Sequence, residues 1–218
     1  MVNSRPKIIL SGAMTIDGKI ASKSGDSKLS SRKDKIRLHK LRSKTDAILI
    51  GKNTLLRDDP LLTVRYHKGK NPIRIILDSK GEIPNNSKIV KTCKKIPTII
   101  VVTKNISQKN LKRLEKLHLQ IIVAGTRQID ITKLLRTLFK QQINSILLEG
   151  GSKTNWEFIS KGLVDEIIIT IAPIIVGGQT STSLVGGKGF LNMQNSKKFK
   201  LKNISKLKNE LVVHYSKL

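Results

Sequence analysis

The chain has 218 residues, of which 38% are hydrophobic and only 3% aromatic, so Ile, Leu and Val must fill the core. No apolar run approaches the roughly 20 residues that cross a bilayer, and the N-terminus lacks a signal-peptide pattern. The single cysteine, Cys93, excludes an intramolecular disulfide and a cysteine-based zinc cluster. We therefore expect a cytoplasmic protein without a membrane partner.

The formal net charge is +27, but only ten of the 42 basic residues are Arg. The lysines are scattered, and no aromatic residues interleave the basic runs to stack bases. Base readout and bidentate phosphate binding depend mainly on Arg. We interpret the charge as a solvated lysine coat and expect no nucleic-acid partner. A basic nucleic-acid-binding module remains the alternative from another class of protein.

The elements alternate between strand and helix along the chain. Buried strands are predicted at 7–15, 46–51, 73–79, 97–103, 119–125, 145–149 and 165–173. Ser31, Ser107 and Asp130 are predicted N-caps of helices over 32–44, 108–118 and 131–142, and a short helix is predicted over 154–162. In the first helix, Ile36, Leu38 and Leu41 are the apolar positions.

The predicted strands are nearly continuous Ile, Leu and Val, which is typical of strands buried on both faces of a parallel sheet. The tail differs, because 197–207 and 210–216 are separated by a polar turn and predict an antiparallel hairpin. No linker or repeat interrupts the chain. The sequence therefore predicts one α/β domain over 1–218, with a mixed, mostly parallel sheet flanked by helices and a C-terminal antiparallel hairpin.

Glycine, hydroxyl and charged residues follow several predicted strands, and ligands of open α/β sheets bind at such ends. Gly150–Gly151 precedes a helix start and suits either a tight turn or an anion cradle. The patterns G-x-G-x-x-G and G-x-x-x-x-G-K-[ST] are absent. Asp58-Asp59-Pro60 suits a turn or a metal site, but the four His residues are dispersed. We expect no metal.

Seven segments in order resemble one family over about residues 7 to 216. They are "MTIDGKIA", "GDSKLSS", "LRSKTDAILIGKNTLLRDDPLLTVR", "PIRIILDS", "INSILLEGG", "GLVDEIIITIAPIIVGG" and a closing strand pair. The family is the NADPH-dependent pyrimidine reductase of riboflavin biosynthesis, the reductase portion of the bifunctional deaminase–reductase. The resemblance implies a dihydrofolate-reductase-like fold and a homodimer. Leu29 stands where bacterial relatives often have Trp.

The resemblance also implies a reaction. NADPH, with NADH as the alternative cofactor, gives a hydride to C1′ of a ribosylamino-pyrimidinone 5′-phosphate, and a ribityl chain results. The H-x-E and P-C-x-x-C motifs of a deaminase are absent, so the chain resembles the stand-alone archaeal type. The expected substrate is 2,5-diamino-6-ribosylamino-4(3H)-pyrimidinone 5′-phosphate. The alternatives are the deaminated 5-amino-6-ribosylamino-uracil phosphate and a pterin.

The resemblance assigns residues to both ligands. For the substrate they are Ser27, Arg42, Leu62, Arg65 and Glu149, and the two Arg residues suit a phosphate. For the cofactor they are Ala13, Thr54, Asp58, Ser79, Lys80, Gly81, Gly150, Gly151, Ser152, Thr154, Val176, Gly177 and Gly178, with glycine N–H groups expected to hold the pyrophosphate. Asp58 and Glu149 are candidate catalytic residues. Trp156 has no assigned role.

Overall fold

The computed structural model describes residues 4–218, which form one nine-stranded sheet and a separate two-stranded sheet. In chain order the strands are β1 (Lys7–Thr15), β2 (Lys19–Ala21), β3 (Ala47–Gly51), β4 (Ile73–Leu77), β5 (Thr98–Val102), β6 (Gln120–Val123), β7 (Ser145–Leu148), β8 (Glu166–Ala172), β9 (Thr182–Ser183), β10 (Phe199–Leu207) and β11 (Glu210–Lys217). The helices are α1 (Arg32–Arg42), α2 (Lys52–Asp58), α3 (Lys88–Lys91), α4 (Gln108–Glu115), α5 (Ile131–Lys140) and α6 (Ser152–Ser160), with a 3₁₀ turn at Met193–Asn195.

The large sheet has the order β10-β11-β8-β1-β7-β3-β4-β5-β6. The seven strands from β8 to β6 pair in parallel, whereas β11 pairs antiparallel to both β8 and β10. The mixed sheet and its C-terminal hairpin were both predicted and are confirmed. The parallel strands place their carboxyl ends along one edge of the sheet.

The central parallel strands of the sheet are buried on both faces. In β3, Leu49 packs in the cluster that includes Leu134 and Phe158 of α5 and α6, while Ile48 and Ile50 pack in the cluster on the opposite face. Successive side chains of a strand point to opposite faces, so a strand covered on both sides needs apolar residues throughout. This requirement explains the continuous apolar runs.

The three predicted N-caps are confirmed, since Ser31, Ser107 and Asp130 each accept a hydrogen bond from a first-turn N–H group. The apolar face predicted for α1 is wrong at Ile36, which is 41% exposed. The buried positions of this helix are polar instead, at Asp34, His39 and Arg42. Asp34 accepts hydrogen bonds from Arg37 of the same helix and from Thr170 of β8, so polar contacts hold this face.

Several short elements were not predicted. α2 begins at Lys52, after Gly51, which gives no side-chain cap, and α3 has only four residues. β2 and β9 pair with each other outside the main sheet. α6 begins at Ser152 rather than Thr154, directly after the glycine pair. Such short elements carry little periodicity for a sequence to reveal.

The tip of the C-terminal hairpin reaches the carboxyl edge of the sheet. Leu211 of β11 pairs with Ile171 near the end of β8. The neighbouring Glu210 is buried, and its carboxylate accepts hydrogen bonds from the N–H (3.1 Å) and the hydroxyl (2.6 Å) of Ser31. The hairpin therefore fixes the start of α1, the helix that ends at Arg42.

Candidate active site

A cavity of about 860 Å³ lies at the carboxyl edge of β7, β3 and β4. Among the expected cofactor residues, it is lined by Thr54, Ser79, Lys80, Gly151, Ser152 and Thr154. Its other walls include the loop before α5 and the segment around β9. The cavity therefore brings together residues from five separate parts of the chain.

Two helix starts pack closely against each other in this cavity. A Cβ atom at Gly51 would lie 2.5 Å from the hydroxyl of Thr154, and one at Gly151 would lie 2.9 Å from the hydroxyl of Thr54. Gly51 precedes α2 and Gly151 precedes α6, and neither helix start has a side-chain cap. The start of α6 therefore presents backbone N–H groups and hydroxyl groups beside the cavity, as an anion site requires.

Gly150 directly precedes Gly151 at the start of α6 but is absent from the cavity lining. Its φ angle of +95° is in the region that favours glycine, and its carbonyl accepts a hydrogen bond from Gly51 N–H at 2.9 Å. The Gly150–Gly151 peptide bond is cis. Gly150 thus shapes the turn, whereas Gly151 lines the cavity.

Val176, Gly177 and Gly178 lie apart from the cavity lining, and their expected contact with the cofactor stays a prediction. The N–H groups of Val176 and Gly177 donate to the carboxylate of Asp17 at 3.2 and 2.7 Å, and none of the three residues lines the cavity. A hydrogen bond from the Thr15 hydroxyl and these N–H groups lower the pKa of Asp17 to about 2. This loop therefore binds a carboxylate of its own chain.

A different glycine pair, Gly186–Gly187, lines the cavity instead. Gly186 N–H donates to the carbonyl of Ser152 at 3.2 Å. A Cβ atom at Gly187, where φ is +89°, would lie 2.2 Å from the ring of Trp156. The glycine-rich segment "GGKG" at 186–189 was the only signal for this loop in the sequence. It follows no strand of the main sheet directly, so the sequence did not indicate a ligand site there.

Trp156, which had no assigned role, packs beneath this glycine loop. Its ring lies 4.9 Å from that of Phe190, at an interplanar angle of 61°. Because Trp156 belongs to α6, it joins the loop of Gly186–Gly187 to the helix that starts at the cavity. The tryptophan is therefore a structural support of the cavity wall.

Arg42 and Glu149 form a buried ion pair. Arg42 Nε and Nη2 donate to the two carboxylate oxygens of Glu149 at 2.8 and 2.7 Å, and the side chains are 8% and 11% exposed. Arg42 Nη1 also donates to the carbonyl of Thr63 at 2.9 Å. Arg42, which was expected to bind the phosphate, is thus already paired with Glu149, which was also expected to bind the substrate.

His39 is a residue that sequence reasoning missed. Its Nδ1 accepts hydrogen bonds from the N–H groups of Arg65 (2.7 Å) and Tyr66 (3.3 Å). Burial, followed by the positive charges of Arg42 and Arg65, lowers the pKa of His39 to about 4. The imidazole is therefore neutral at physiological pH, and it fixes the backbone of the segment that carries Arg65. Its burial depends on the tertiary fold, so an isolated His in a lysine-rich helix gave no signal.

The remaining expected substrate residues differ in their surroundings. Arg65 is exposed, and its Nη1 donates to the hydroxyl of Thr63 at 2.8 Å. Leu62 is fully buried at a positive φ of 50°. The structure thus brings Leu62, Arg65, Arg42 and Glu149 together around Thr63. Ser27 is exposed in the loop before α1, and no contact joins it to this group among the described residues.

Besides Gly150 and residues 176–178, three further expected cofactor residues lie away from the cavity lining. Ala13 is inside β1, where it pairs with Thr170. Asp58 ends α2 and makes a bidentate ion pair with Arg57 at 2.8 and 3.1 Å. Gly81 packs against Ile106 and Leu114 at a φ of +64°. Asp58 is thus absent from the cavity lining, whereas its partner Arg57 belongs to it.

The adjacent Asp59 has a structural role. Its carboxylate accepts a hydrogen bond from Lys88 N–H, at the first residue of α3, at 2.8 Å. No group of three or more His, Cys, Asp or Glu side chains within residues 4–218 is placed to hold a metal ion. None of the helices in that range combines the length and apolarity that a transmembrane helix needs.

The site defines a class of protein. The cavity volume is typical of cofactor sites, and one end of it has the helix start and glycine backbone that suit a pyrophosphate. The opposite end has the apolar side chains of Leu77, Ile129 and Ile131, which suit a flat heterocycle. Fold and cavity together are those of an α/β dinucleotide-dependent enzyme.

Comparison with known proteins identifies the family, because residues 6–213 match the RibD C-terminal domain. The chain belongs to this family. It is 40% identical over 215 residues to the 2,5-diamino-6-ribosylamino-4(3H)-pyrimidinone 5′-phosphate reductase of Methanothermobacter thermautotrophicus, covering 97% of this chain and 98% of that one. Since this relative is named as a reductase over its full length, the chain is an oxidoreductase, as expected.

Solved structures confirm the fold. The Thermotoga maritima diaminohydroxyphosphoribosylaminopyrimidine deaminase/5-amino-6-(5-phosphoribosylamino)uracil reductase superposes with a TM-score of 0.82 at 28% identity, covering 98% of this chain and 57% of that one. Dihydrofolate reductase from Enterococcus faecalis matches with a TM-score of 0.54 at 11% identity, covering 97% and 96%. The dihydrofolate-reductase-like fold predicted from the sequence is therefore confirmed.

Proposed function

We propose that this protein is the riboflavin-biosynthesis reductase that uses NADPH to reduce the ribosyl side chain of 2,5-diamino-6-ribosylamino-4(3H)-pyrimidinone 5′-phosphate. The observation that carries the proposal is the cavity, which continues from the start of α6 to the ends of β4 and β6 and has the size of a cofactor site. The full-length relative named for this reaction supports the choice of substrate. We place the reaction in the cytoplasm.

The cofactor would lie along the cavity. The start of α6, with Gly151, Ser152 and Thr154, would hold the pyrophosphate, and Thr54 would add a hydroxyl. Gly186–Gly187 replaces Gly177–Gly178 in this proposal, because it lines the cavity. NADPH would supply the hydride, so the protein needs no nucleophile of its own and contributes positioning and electrostatics.

The substrate would bind beside Glu149, which directly precedes the glycine pair of the cofactor cavity. Each carboxylate oxygen of Glu149 accepts one hydrogen bond from Arg42 and keeps a second lone pair for an amino or hydroxyl group of the substrate. Arg65 is exposed and suits the 5′-phosphate, because a guanidinium donates two parallel hydrogen bonds. Arg42 would thus orient Glu149, while Arg65 binds the phosphate.

The test is turnover by the purified protein. NADPH oxidation should require the ribosylamino-pyrimidinone phosphate, and mass spectrometry should show a product heavier by two hydrogens. Absence of turnover with both the diamino and the deaminated substrate would refute the proposal. The deaminated compound is the second candidate, since the name of the Thermotoga maritima neighbour includes a uracil reductase. Comparison of kcat/KM for the two substrates decides between them.

We also propose a homodimer formed through the C-terminal hairpin. β10 is the edge strand of the sheet, and the hairpin exposes apolar side chains at Leu201, Ile204 and Leu211. Exposed apolar side chains on an edge strand favour association with another chain. Sedimentation analysis should give a dimer for the wild type and a shift toward monomer for Ile204→Lys. A monomeric wild-type protein would contradict this assignment.

A further inference from the structure

A cluster of charged side chains lies at one end of the cavity, beyond β3 and β4. Lys52 follows β3, and Asp78, Lys80 and Glu82 follow the neighbouring β4. Lys52 Nζ donates to Glu82 Oε2 at 2.5 Å and lies 4.0 Å from Asp78 Oδ1. All four residues line the cavity. One ammonium group is therefore shared between two carboxylates at a ligand-facing wall.

The two carboxylates differ in their environment. Asp78 is buried, its Oδ2 accepts a hydrogen bond from Ile83 N–H, and its Oδ1 has no hydrogen-bond partner. Burial raises the pKa of Asp78, although Ile83 N–H and the charge of Lys52 act against this shift. Glu82 is exposed, and the hydrogen bond from Lys52 lowers its pKa. Lys52 is thus held mainly by a solvent-exposed partner.

An exposed ion pair contributes little free energy, so an incoming anion can take the ammonium from Glu82 at small cost. Other cations of the cavity are less suited to this exchange. Arg57 is bound on two of its nitrogen atoms by Asp58, and Lys153 lies on α6 at the opposite end. Lys80 points to the same end as Lys52, and its charge also lowers the pKa of Glu82. The end beyond β4 therefore offers two lysines beside two carboxylates, of which Asp78 is buried and only Glu82 is exposed.

The apolar side chains of Leu77, Ile129 and Ile131 line the same end of the cavity. An adenine ring packed on them would place its ribose near Ser79 and Lys52, while the pyrophosphate extends toward α6. The dianionic 2′-phosphate of NADP would then meet Lys52 and Lys80, whereas the 2′-hydroxyl of NAD would leave Lys52 on Glu82. Charge-assisted hydrogen bonds to a phosphate are stronger than those to a neutral hydroxyl.

We propose that Lys52 determines the preference for a 2′-phosphorylated cofactor, with Glu82 as the carboxylate that holds it until the phosphate binds. The inference depends on the proposed function, since it assumes that a nicotinamide dinucleotide fills this cavity. It adds a residue that discriminates between NADP and NAD. Glu82 opposes the phosphate by its charge, so its removal strengthens NADP binding.

The test is equilibrium binding of NADP⁺, NAD⁺, adenosine 2′,5′-bisphosphate and ADP by calorimetry, without turnover. Lys52→Met should weaken NADP⁺ and the 2′,5′-bisphosphate by about tenfold, the loss expected for a charge-assisted hydrogen bond, and leave NAD⁺ and ADP within about twofold. Glu82→Gln should tighten NADP⁺ and leave NAD⁺ unchanged. The matched control Lys153→Met should change NADP⁺ and NAD⁺ by the same factor.

The results separate the role of Lys52 from the proposed function. Equal weakening of NADP⁺ and NAD⁺ by Lys52→Met, or weaker NADP⁺ binding in Glu82→Gln, would overturn the role of Lys52 and leave the proposed function standing. Binding of neither dinucleotide to the wild type would overturn both. Circular dichroism and thermal melting of each variant separate a loss of binding from a loss of fold.

Discussion

Protonation of His39 should destabilise the folded protein at mildly acidic pH. The pKa of His39 is about 4 in the folded chain, against an ordinary value of 6.5. The folded state therefore holds this proton less tightly than the unfolded chain, and acid favours unfolding. The stabilisation is fully present above the ordinary pKa and is lost as the pH falls toward the folded one. With about 1.4 kcal/mol per pKa unit, the loss between about pH 7 and pH 5 is about 2 kcal/mol.

The assay is urea unfolding of the wild type and His39→Asn at both pH values. The Asn side-chain oxygen can take the place of Nδ1 as acceptor for the N–H groups of Arg65 and Tyr66, but it does not titrate. The free energy of unfolding of His39→Asn should therefore fall by about 2 kcal/mol less than that of the wild type on acidification. His118→Asn, at an exposed position, is the matched control and should follow the wild type. Equal pH dependence in His39→Asn and the wild type would refute the reasoning.

Three further substitutions test the packing around the site. Arg42→Ala leaves the buried carboxylate of Glu149 unpaired, so urea titrations should show a free energy of unfolding lower by about 3 to 5 kcal/mol. The double variant Arg42→Leu, Glu149→Leu removes both charges and should regain stability without regaining substrate reduction. Gly187→Ala places a Cβ atom against Trp156, so it should lower the melting temperature and alter tryptophan fluorescence. The control is Gly189→Ala, where no atom lies within 4 Å of the added Cβ. This variant should leave the fluorescence unchanged. Arg74→Leu removes a fully buried guanidinium that donates to the carbonyls of Ile89 and Ile96. Chemical denaturation should therefore show a free energy of unfolding lower by at least about 2 kcal/mol. A smaller loss would mean that water satisfies those carbonyls.

Those parts of the fold that depend on local chemistry could be predicted from the sequence. β3 is apolar at every position because both of its faces are covered, and the caps Ser31 and Asp130 mark helix starts by their side-chain oxygens. Elements set by tertiary packing could not be predicted. α2 follows Gly51, where the close approach of Thr154 leaves no room for the side chain of a usual cap residue.

The same distinction applies to the candidate site. Residues within a few positions of a strand end, such as Ser79 and Gly151, lie at the carboxyl edge and line the cavity, because strand direction alone fixes that edge. Which of the two later glycine pairs borders the cavity depends on distant side chains. Asp17 accepts a hydrogen bond from the N–H of Gly177 in one pair, and Trp156 packs against Gly187 of the other. Neither contact has a local signature in the sequence.

The glycine pair at Gly150–Gly151 shows why small residues are weak evidence for a ligand. The φ angle of +95° accounts for Gly150, and the hydroxyl of Thr54 within 2.9 Å of an added Cβ accounts for Gly151. Packing thus explains both glycines without any bound molecule. The stronger evidence for a ligand is the start of α6, which has no side-chain cap although it borders a large cavity. Helix starts need partners for their first N–H groups, and this need supports the proposal that an anionic group of the cofactor binds at the start of α6.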